Sequence, residues 1–526
     1  AEAISIVDGL SFDEPGVYRF SIATEDDQIT GRVNPILIEA EPTRRIFWGD
    51  THGHSGFAEG IGTPDRFMRW AKEDARLDYV THSEHDIWLD DHEWQILRDN
   101  VSRYTEEGRF IAYLGYEWSI RNFQGGHHNV LFRTPERRKR IPAQFYPTLS
   151  KLYQGLRAEN STADVLVIPH AHQAGDYRQN DPELEPLIEI LSQHGTFEWF
   201  GRRYLDHGHQ VGFTAASDNH LSQPGYSAPL GTSLAQRGGL GAVLAEELNT
   251  DTLFSAMKSR RTYATTGERM ILDVALNEAS MGSRAAFAEA RSISGRVIGT
   301  APIDQITVMK NDEVFWQQEY LQSEDYADAE EATLLLSFES DSKPYQRGDN
   351  PRGWRHWRGS ATVAGANVIS AQAQDFHNAA QQQLSLAEDS PNQLNFSTLT
   401  RGDTSSILLK LSDIKRNATV AVDLLGARET GGAPPVYRKP QQMPPAQVSF
   451  PLSDVLKETF RATLMIPGYE DTVTLRRVIS DGPMDISFAI DDISQRQGDY
   501  YYVRVRQVDD SLAFSSPIWV GGFPSR

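Results

Sequence analysis

The stretch IFWGDTHGHSG, residues 46–56, joins a short apolar run to an aspartate and two histidines spaced two apart. A short apolar run bounded by turn residues is typical of a buried strand. The period of two lets His52 and His54 approach one ion as the chain leaves that strand. A single pair of this kind also occurs in ordinary polar loops, so its interpretation depends on the rest of the chain.

The rest of the chain repeats the arrangement. Thirteen of the 15 histidines lie between His52 and His220, and histidine is both the commonest metal ligand and the usual acid–base residue. Ligand-type residues recur beside later apolar runs, namely Glu84 and His85, Glu117, His127 and His128, His170 and His172, and Asp218 and His220. Barrel enzymes place their active sites at the C-terminal ends of their strands. The recurrence therefore predicts a site for several metal ions.

The texture of the sequence changes twice, which predicts three segments. Residues 1–44 contain short strand-like runs, which we expect to pack on the β-rich region. Residues 45–270 alternate apolar runs with helix-like segments, one of which begins at Thr63 and Pro64. Residues 271–526 contain strand-like runs separated by turns, as in a β-sandwich, and leave room for an inserted subdomain at about residues 345–490. The fold class expected is α/β with a β-rich C-terminal region.

Composition narrows the classes of function. The formal net charge of −21 over 526 residues argues against nucleic acid as a partner, because phosphate backbones are bound by clustered Lys and Arg. No apolar run reaches the roughly 18–20 residues of a transmembrane helix. Since the chain has no cysteine, a metal must be held by His, Asp or Glu.

The first residues bear on location. The chain begins with AEA, a small-residue context that fits a mature protein after removal of a signal peptide, so we expect a periplasmic or secreted protein. A cytoplasmic protein trimmed at this point would look the same. Nothing in the sequence indicates an oligomeric state.

The ordered set GDTHGHS, HSEHD, GYE, IPHAH and ASDNH resembles the motifs of the PHP (polymerase and histidinol phosphatase) superfamily of metal-dependent hydrolases. More narrowly, the chain looks like the large PHP branch catalogued as a domain of unknown function, and the likeness extends over most of its length. The resemblance implies a distorted (β/α)7 TIM-like barrel with two or three divalent ions, Zn, Mn or Fe, at its C-terminal face.

The resemblance also implies a set of metal ligands. The first ion would be held by His52, His54, Glu117 and Asp218, the second by His85 and His220, and the third by His170 with one of His127 or His128. His172 is an alternative to His170. Two departures from the family pattern leave room for a binuclear enzyme. The usual SDG reads AEG at residues 58–60, and the usual TDH reads SEHD, so that Glu84 stands where Asp is expected and the ligand is either Glu84 or His82.

Ions held roughly 3.5–4 Å apart activate a bridging water and clamp the oxygens of an in-line displacement. Hydrolysis of a phosphate ester requires that arrangement, so the expected substrate is a small anionic ester. The alternatives are a sulfate ester or an amide cut at the same site, or a non-catalytic binding module that metals merely stabilise.

Further residues are candidates for supporting roles. Arginine complements a tetrahedral anion, so Arg260 and Arg261 are the first candidates for binding substrate, ahead of Arg202 and Arg203. His194 is either the general acid for the leaving group or a partner that orients a metal ligand. We expect Asp50 to orient His52 or its loop and Glu189 to support a ligand. The remaining histidines of this region are expected at the surface or in loops, namely His92, His207 and His209. The group formed by Trp354, His356 and Trp357 either lines a surface or packs.

Overall fold

The computed structural model describes residues 9–24, 30–121, 124–225, 238–321, 330–343, 354–374, 376, 381–428, 441–466, 469–479 and 481–522. Much of this part of the chain is strand, accompanied by a few helices, which makes the protein mixed α/β. Among these residues no helix is both long enough and apolar enough to cross a membrane. Most of the proline-rich segment 428–447, expected to be an extended loop, falls in 429–440, outside the described residues.

The first 270 residues contain the helices α1 to α5 and the strands β1 to β14. The four N-terminal strands are β1 (Gly16–Tyr18), β2 (Ser21–Ala23), β3 (Thr30–Arg32) and β4 (Ile36–Ile38). They are followed by β5 (Arg45–Asp50), α1 (Pro64–Arg69), β6 (Tyr79–Thr81), α2 (Asp91–Tyr104), β7 (Ile111–Trp118), β8 (His128–Phe132), α3 (Leu149–Glu159), β9 (Val165–Pro169), β10 (Leu187–Ser192), β11 (Gly195–Thr196), α4 (Glu198–Asp206), β12 (Gly212–Ala215), β13 (Leu240–Ala245), α5 (Thr250–Lys258) and β14 (Thr262–Thr265). A π-helical turn, Trp70–Asp74, extends α1, and a 3-10 turn, Thr162–Asp164, precedes β9.

The rest of the chain is almost entirely strand. Its elements are β15 (Ile271–Leu276), β16 (Ala279–Ser280), β17 (Arg284–Ala285), β18 (Ala290–Ile298), β19 (Ile303–Lys310), β20 (Glu313–Glu319), β21 (Glu331–Glu339), β22 (Arg355–Ala364), β23 (Asn367–Gln374), β24 (Gln383–Ala387), β25 (Ser390–Thr400), β26 (Thr404–Ser412), β27 (Thr419–Arg428), β28 (Gln441–Gln442), β29 (Ala446–Pro451), α6 (Leu452–Val455), β30 (Phe460–Ile466), β31 (Tyr469–Val478), β32 (Asp485–Ile493), β33 (Tyr500–Gln507), β34 (Leu512–Ser515) and β35 (Ile518–Val520).

The helix predicted at Thr63 and Pro64 is present. Thr63 adopts an extended conformation and its side chain accepts a hydrogen bond from the backbone N–H of Arg66, which satisfies one of the free donors of the first turn. Pro64 follows inside the helix, where its missing N–H leaves no intrahelical bond unmade. This helix packs Phe67 and Met68 into the core behind the IFWGD strand.

The distorted (β/α)7 TIM-like barrel that the resemblance implies is not evident. Strands β5, β6 and β7 are parallel, as are β10 and β12, but β8 runs antiparallel to both of its neighbours and β13 runs antiparallel to β5. Five α-helices accompany the described strands of residues 45–270, where a regular (β/α) barrel needs about eight. The physical reason lies in the connections. Only nine residues separate β7 from β8, and a connection that short permits only antiparallel pairing.

The C-terminal region is β-rich, and its last strands complete the sheet of the first region. β14 pairs with β34, β34 with β33, and β33 with β19, all antiparallel. One apolar core consequently includes both Trp48 of β5 and Val503 of β33. The expected three-segment division stays a prediction.

Residues 332–475 have a hydrophobic core of their own. Two antiparallel sheets, with strand orders β23-β26-β21-β31-β30 and β24-β25-β22-β27-β28, contribute side chains such as Phe338, Trp357 and Phe450 to it. We call this unit, β21 to β31, the sandwich. It begins and ends slightly earlier than the predicted insertion at 345–490.

The ends of several strands meet at one edge of the first region. Single backbone bridges join Gly53 to Asn219, His85 to Glu117, and His170 to Glu189, beyond the regular hydrogen bonding of the strands. Segments far apart in sequence are thereby brought together at the exits of β5, β6, β7, β9 and β12. This edge is where the candidate site forms.

Replacement of Phe514 by alanine tests the junction between the C-terminal strands and the first region. Phe514 of β34 is buried in a cluster with Phe213 of β12 and Tyr502 of β33. Truncating it should lower the free energy of unfolding by about 3–5 kcal/mol, because a large core side chain leaves a cavity. Denaturant unfolding measures the change. Ile493→Ala, at a side chain that is 81% exposed, is the control and should change stability little. Equal stability of the two variants would contradict the shared core.

Candidate metal centre

Two buried carboxylates lie at the middle of the histidine cluster. Glu117, near the end of β7, has Oε2 at 3.4 Å from both His52 Nε2 and His54 Nε2 and at 3.1 Å from His85 Nδ1. Its other oxygen, Oε1, is 3.0 Å from His170 Nε2 and in short contact with His127 Nδ1. One carboxylate is thus surrounded by five imidazole rings.

Asp218 is the second centre. Its Oδ1 lies 3.2 Å from both His52 Nε2 and His54 Nε2, so the two histidines of the HxH pair are shared between the two carboxylates. Its Oδ2 lies 3.0 Å from His194 Nε2 and 3.5 Å from His172 Nε2. Asp218 adopts a positive φ of 53°, a left-handed conformation that Asp tolerates better than most residues.

Among the described residues, the ligand-type atoms form five groups in which every pair of atoms lies within 4.8 Å. A separation of that order lets one ion contact all the atoms of a group after small side-chain movements. The groups are His52–His54–Asp218, His52–Glu117–His170, His85–Glu117–His127, His54–His85–His220 and His172–His194–Asp218.

The loop after β5 is held in place by the loop after β12. His54 N donates to Asn219 O and Asp218 N donates to His52 O, both at 2.8 Å. Gly53 between the histidines allows this approach, because a Cβ there would lie 2.8 Å from the ring of Phe67. The positions of His52 and His54 are therefore fixed by the packing of Gly53 against Phe67 of α1 as well as by the backbone bonds to the loop after β12.

Asp50 fixes both loops. Its carboxylate accepts hydrogen bonds from the backbone N–H groups of His52, Ser217 and Gly225 at 3.1, 3.0 and 2.6 Å. Burial raises the pKa of this carboxyl group, while these donors act in the opposite direction. Asp50 thus lies where it orients the His52 loop and does not belong to any of the five ligand groups.

Glu189 lies on the far side of His52. Its carboxylate is 3.0 Å from His52 Nδ1, which leaves Nε2 facing Glu117 and Asp218. Asn129 Nδ2 donates to the same carboxylate at 3.4 Å. A carboxylate on the second nitrogen is the usual way in which a ligating imidazole is oriented.

Several buried polar atoms of the cluster are placed where they could bind a cation but do not form hydrogen bonds with one another. Within the described part of the chain, His52 Nε2, both ring nitrogens of His54, Glu117 Oε2 and Asp218 Oδ2 have no hydrogen-bond partner of acceptable geometry, although opposite atoms lie close. Buried polar groups are normally satisfied, and each exception needs an explanation. Divalent ions held between these atoms would engage His52 Nε2, one nitrogen of His54, Glu117 Oε2 and Asp218 Oδ2.

The electrostatics agree with that explanation. Burial opposes the charge on Glu117, yet His85 and His127 hold its pKa well below the usual range. Burial lowers the pKa of His54 to about 3 and that of His170 to about 3, and each imidazole is neutral as metal binding requires. Burial also acts against His85, but the Glu117 carboxylate raises its pKa to about 9. Without ions the cluster balances its carboxylates with protons, so ion binding should release protons.

The structure brings most of the predicted ligands together. His52, His54, His85, Glu117, His127, His170, His172, Asp218 and His220 all belong to at least one of the five groups, and so does His194. Histidines of the same region that were expected at the surface or in loops lie outside the groups. They are His92, exposed on α2, and His207 and His209, whose rings bond to the carbonyls of Arg203 and Tyr177.

His128 is not brought to the cluster. It follows His127 directly in an extended segment, so the two side chains point to opposite sides. The His128 ring is buried 3.6 Å from the Glu185 carboxylate and edge-on to Trp118. Of the two histidines left open by the sequence, His127 is the one that faces Glu117.

Neither alternative in the SEHD motif reaches the ligand groups. Glu84 Oε1 accepts a hydrogen bond from Ser55 N at 2.8 Å, and burial raises its pKa to about 7. The His82 ring stacks on Phe67 at 4.3 Å. Both residues brace the HxH loop from behind, and His85 is the residue of this motif that joins the cluster.

The candidate arginines are not at the cluster. Arg260 and Arg261 directly precede β14, and Arg260 lies against Gly212 at the start of β12, the end of that strand remote from Asp218. Arg260 donates to Gly282 O and lies over the ring of Trp519. Arg202 pairs with Asp312, and Arg203 lies 4.0 Å from Asp206 on α4. The sequence motif around Arg260 and Arg261 did not show at which end of a strand they would lie, and they do not lie at the end where the cluster forms.

Glu59 is a site residue that the sequence reasoning missed. It lies in the AEG segment, and its Oε2 is 3.6 Å from His85 Nε2 and 3.4 Å from His220 Nε2. These two histidines hold its pKa well below the usual range. The signal was present in the AEG segment itself, because Glu59 stands where SDG has an aspartate and a carboxylate of either kind can be a ligand.

Part of the chain is similar to a family model and to proteins of Chlamydia. The family model described as "Protein of unknown function (DUF3604)" matches residues 63–177 and 207–292, ranges that include His85, Glu117, His127 and Asp218. An uncharacterized protein of Chlamydia trachomatis serovar D is 27% identical over 349 residues, which cover 59% of this chain and 54% of that protein. An uncharacterized protein of Chlamydia pneumoniae is 26% identical over 345 residues, with the same coverage. The chain thus spans about half the length of the curated relatives it matches.

One solved structure is also similar. It is a two-domain protein from Bacteroides vulgatus described as containing a predicted PHP-like metal-dependent phosphoesterase. The two chains are 12% identical with a TM-score of 0.31, over 78% of this chain and 96% of that one.

Glu59→Gln tests whether this carboxylate takes part in ion binding. The substitution keeps the shape of the side chain and removes the charge that faces His85 and His220, so binding of one ion should weaken by about 10-fold or more. Titration calorimetry with Mn²⁺ measures the affinity and the number of ions. Glu73→Gln, at an exposed carboxylate on the π-helical turn, is the matched control. Identical isotherms for the two variants would remove Glu59 from the site.

Proposed function

We propose that this protein is a metal-dependent hydrolase that cleaves a phosphate ester at a centre of two or three divalent ions. The observation that carries the proposal is the Glu117 carboxylate, buried among five imidazoles and accompanied by Asp218, which shares two of them. One structural ion needs about four ligands. The donor set here exceeds that number.

The described geometry supports a division of the ligands. His52, His54, Glu117 and Asp218 would hold one ion, and His85, His220 and Glu59 a second. Glu117, His127 and His170 would hold a third. Nitrogen and carboxylate donors of this kind suit Zn, Mn or Fe. Such ions, when bound, lower the pKa of a coordinated water and stabilise negative charge on ester oxygens.

The chain's own residues contribute binding and positioning. Imidazoles outnumber carboxylates among the ligands, so the loaded site would carry net positive charge and attract an anionic ester despite the acidic surface. His194 contacts Asp218 Oδ2 and is close to the surface of the cluster. It is placed to orient Asp218, and a proton on its ring would be available to a leaving group.

We also propose a specific fold for the first region. Strand exits that converge on one edge and are joined by single bridges support a strongly distorted relative of a PHP-like barrel.

A panel of chromogenic substrates tests the function. Protein purified without chelators and supplied with Zn²⁺, Mn²⁺ or Fe²⁺ should hydrolyse phosphate esters in preference to sulfate esters and anilides. Asp218→Asn should lower turnover by about 100-fold or more, because it removes the charge that two shared histidines face. His92→Ala, at an exposed histidine of α2, should leave turnover unchanged.

Other outcomes have definite meanings. Turnover of only sulfate esters or anilides would replace the phosphoesterase by one of the other hydrolases. Bound ions without turnover of any substrate in the panel would favour a metal-stabilised module.

A further inference from the structure

A short hairpin from the first region carries His194 to the cluster. Strands β10 and β11 pair antiparallel, and Gln193 and His194 form the turn between them. Because β11 is only two residues long, its own hydrogen bonds give the hairpin little rigidity. Other contacts must fix the turn.

The turn touches two ligand residues. His194 Nε2 lies 3.0 Å from Asp218 Oδ2, and Gln193 Nε2 lies 3.0 Å from His220 Nδ1. Gln193 also donates to the backbone carbonyl of Asp218, and its own N–H donates to Ser217 O at 3.1 Å. The position of the turn therefore bears on two neighbouring ligands at once.

A turn of the sandwich packs against the other side of this hairpin. Arg401, between β25 and β26, is almost fully buried and donates to the backbone carbonyl of His194. Arg401 O in turn accepts from Thr196 N at 3.0 Å. Ser342 Oγ, also from the sandwich, donates to Thr196 O at 2.7 Å. Two hydrogen bonds thus join the two turns and Ser342 adds a third, and the bond from Arg401 to His194 spans 207 residues of sequence.

The contact is tight enough to require glycine on both sides. A Cβ on Gly195 would lie 2.5 Å from Arg401 Cδ, and a Cβ on Gly402 would lie 2.1 Å from Thr196 O. Gly402 has a φ of +72°, which favours glycine in any case. Close approach of two backbones with glycine at each contact is typical of a built interface.

The guanidinium of Arg401 stacks on an aromatic ring. Its Cζ lies 3.8 Å from the centroid of Trp354, which is itself buried with Leu399. A planar guanidinium stacked on Trp is held in one orientation, so its N–H groups point in fixed directions. Trp354, left open by the sequence, therefore packs beneath Arg401.

We propose that Arg401 is a positioning residue of the metal centre, through which the sandwich holds the His194 hairpin against Asp218 and His220. The inference rests on the proposed function, because it assigns the hairpin a part in ion binding. It also gives the sandwich a role: without its Arg401 turn, the carbonyl of His194 loses a charge-assisted hydrogen bond and the hairpin loses its outer wall.

Two substitutions in the full-length chain test the proposal. Arg401→Met keeps the length of the aliphatic stem and removes the donors, whereas Arg401→Lys keeps the charge and a donor. Arg358→Met, at an exposed arginine of β22 in the same sandwich, is the matched control. Hydrogen exchange followed by mass spectrometry reports on the hairpin, and calorimetric titration with Mn²⁺ reports on the ions.

The proposal expects a local and separable effect. In Arg401→Met, amides of residues 192–198 should exchange faster while those of β7 keep the wild-type rate. Mn²⁺ affinity should fall by about 10-fold in Arg401→Met and stay unchanged in Arg358→Met. Arg401→Lys should also lose affinity, though no more than Arg401→Met, because an ammonium group cannot stack on Trp354 as the guanidinium does. Wild-type exchange and affinity in Arg401→Met would overturn the proposal.

The result also separates the two proposals. If the wild-type protein binds no Mn²⁺, the proposed function fails, and the exchange rates still decide whether Arg401 fixes the hairpin. If the wild-type protein binds ions and Arg401→Met exchanges and binds normally, only the positioning role fails.

Discussion

Glu117 is a carboxylate buried among five imidazoles, and the rest of the site is arranged around it. A buried carboxylate is expensive unless opposite charge compensates it. His85 and His127 supply part of that compensation and hold the pKa of Glu117 down. Divalent ions between the same atoms would supply more, and would also engage one of the two buried nitrogens of His54 that lack hydrogen-bond partners among the described residues.

This constraint explains why so many strands end at one place. A single loop cannot surround a carboxylate with five rings, so the rings come from the exits of β5, β6 and β9 and from the start of the antiparallel strand β8. Asp50 and the backbone bonds between the His52 and Asp218 loops then fix the spacing of those exits. Glu189 and the His194 hairpin lie just outside and orient individual ligands. The sandwich contacts the His194 hairpin through Arg401, which is distant in the sequence.

The sequence was informative where chemistry is local. The HxH pair and the polar ends of later apolar runs predicted which residues would meet, because strand exits in one sheet share an edge. The sequence was less informative about the direction in which each strand runs. The pattern of apolar runs does not show that β8 runs antiparallel, so it did not correct the distorted (β/α)7 barrel that the resemblance implied. Arg260 was assigned to the substrate because arginine complements a tetrahedral anion, but it lies against the start of β12, the end of that strand remote from Asp218.

Two further residues show that the sequence does not reveal long-range contacts. Glu59 was visible only as a departure from a motif, and its geometry depends on a loop that folds back between His85 and His220. Arg401 lies 207 residues from the carbonyl to which it donates, and no local pattern marks such a contact. Long-range packing, and not residue type, decides both.

Anomalous X-ray diffraction from crystals grown with Mn²⁺ or Zn²⁺ tests the central claim most directly. The account predicts at least two element-specific peaks. One should lie among His52, His54, Glu117 and Asp218, and the other among Glu59, His85 and His220, with ligand distances of about 2.0–2.3 Å. Metal-containing crystals with no peak beside Glu117 or Asp218 would contradict it.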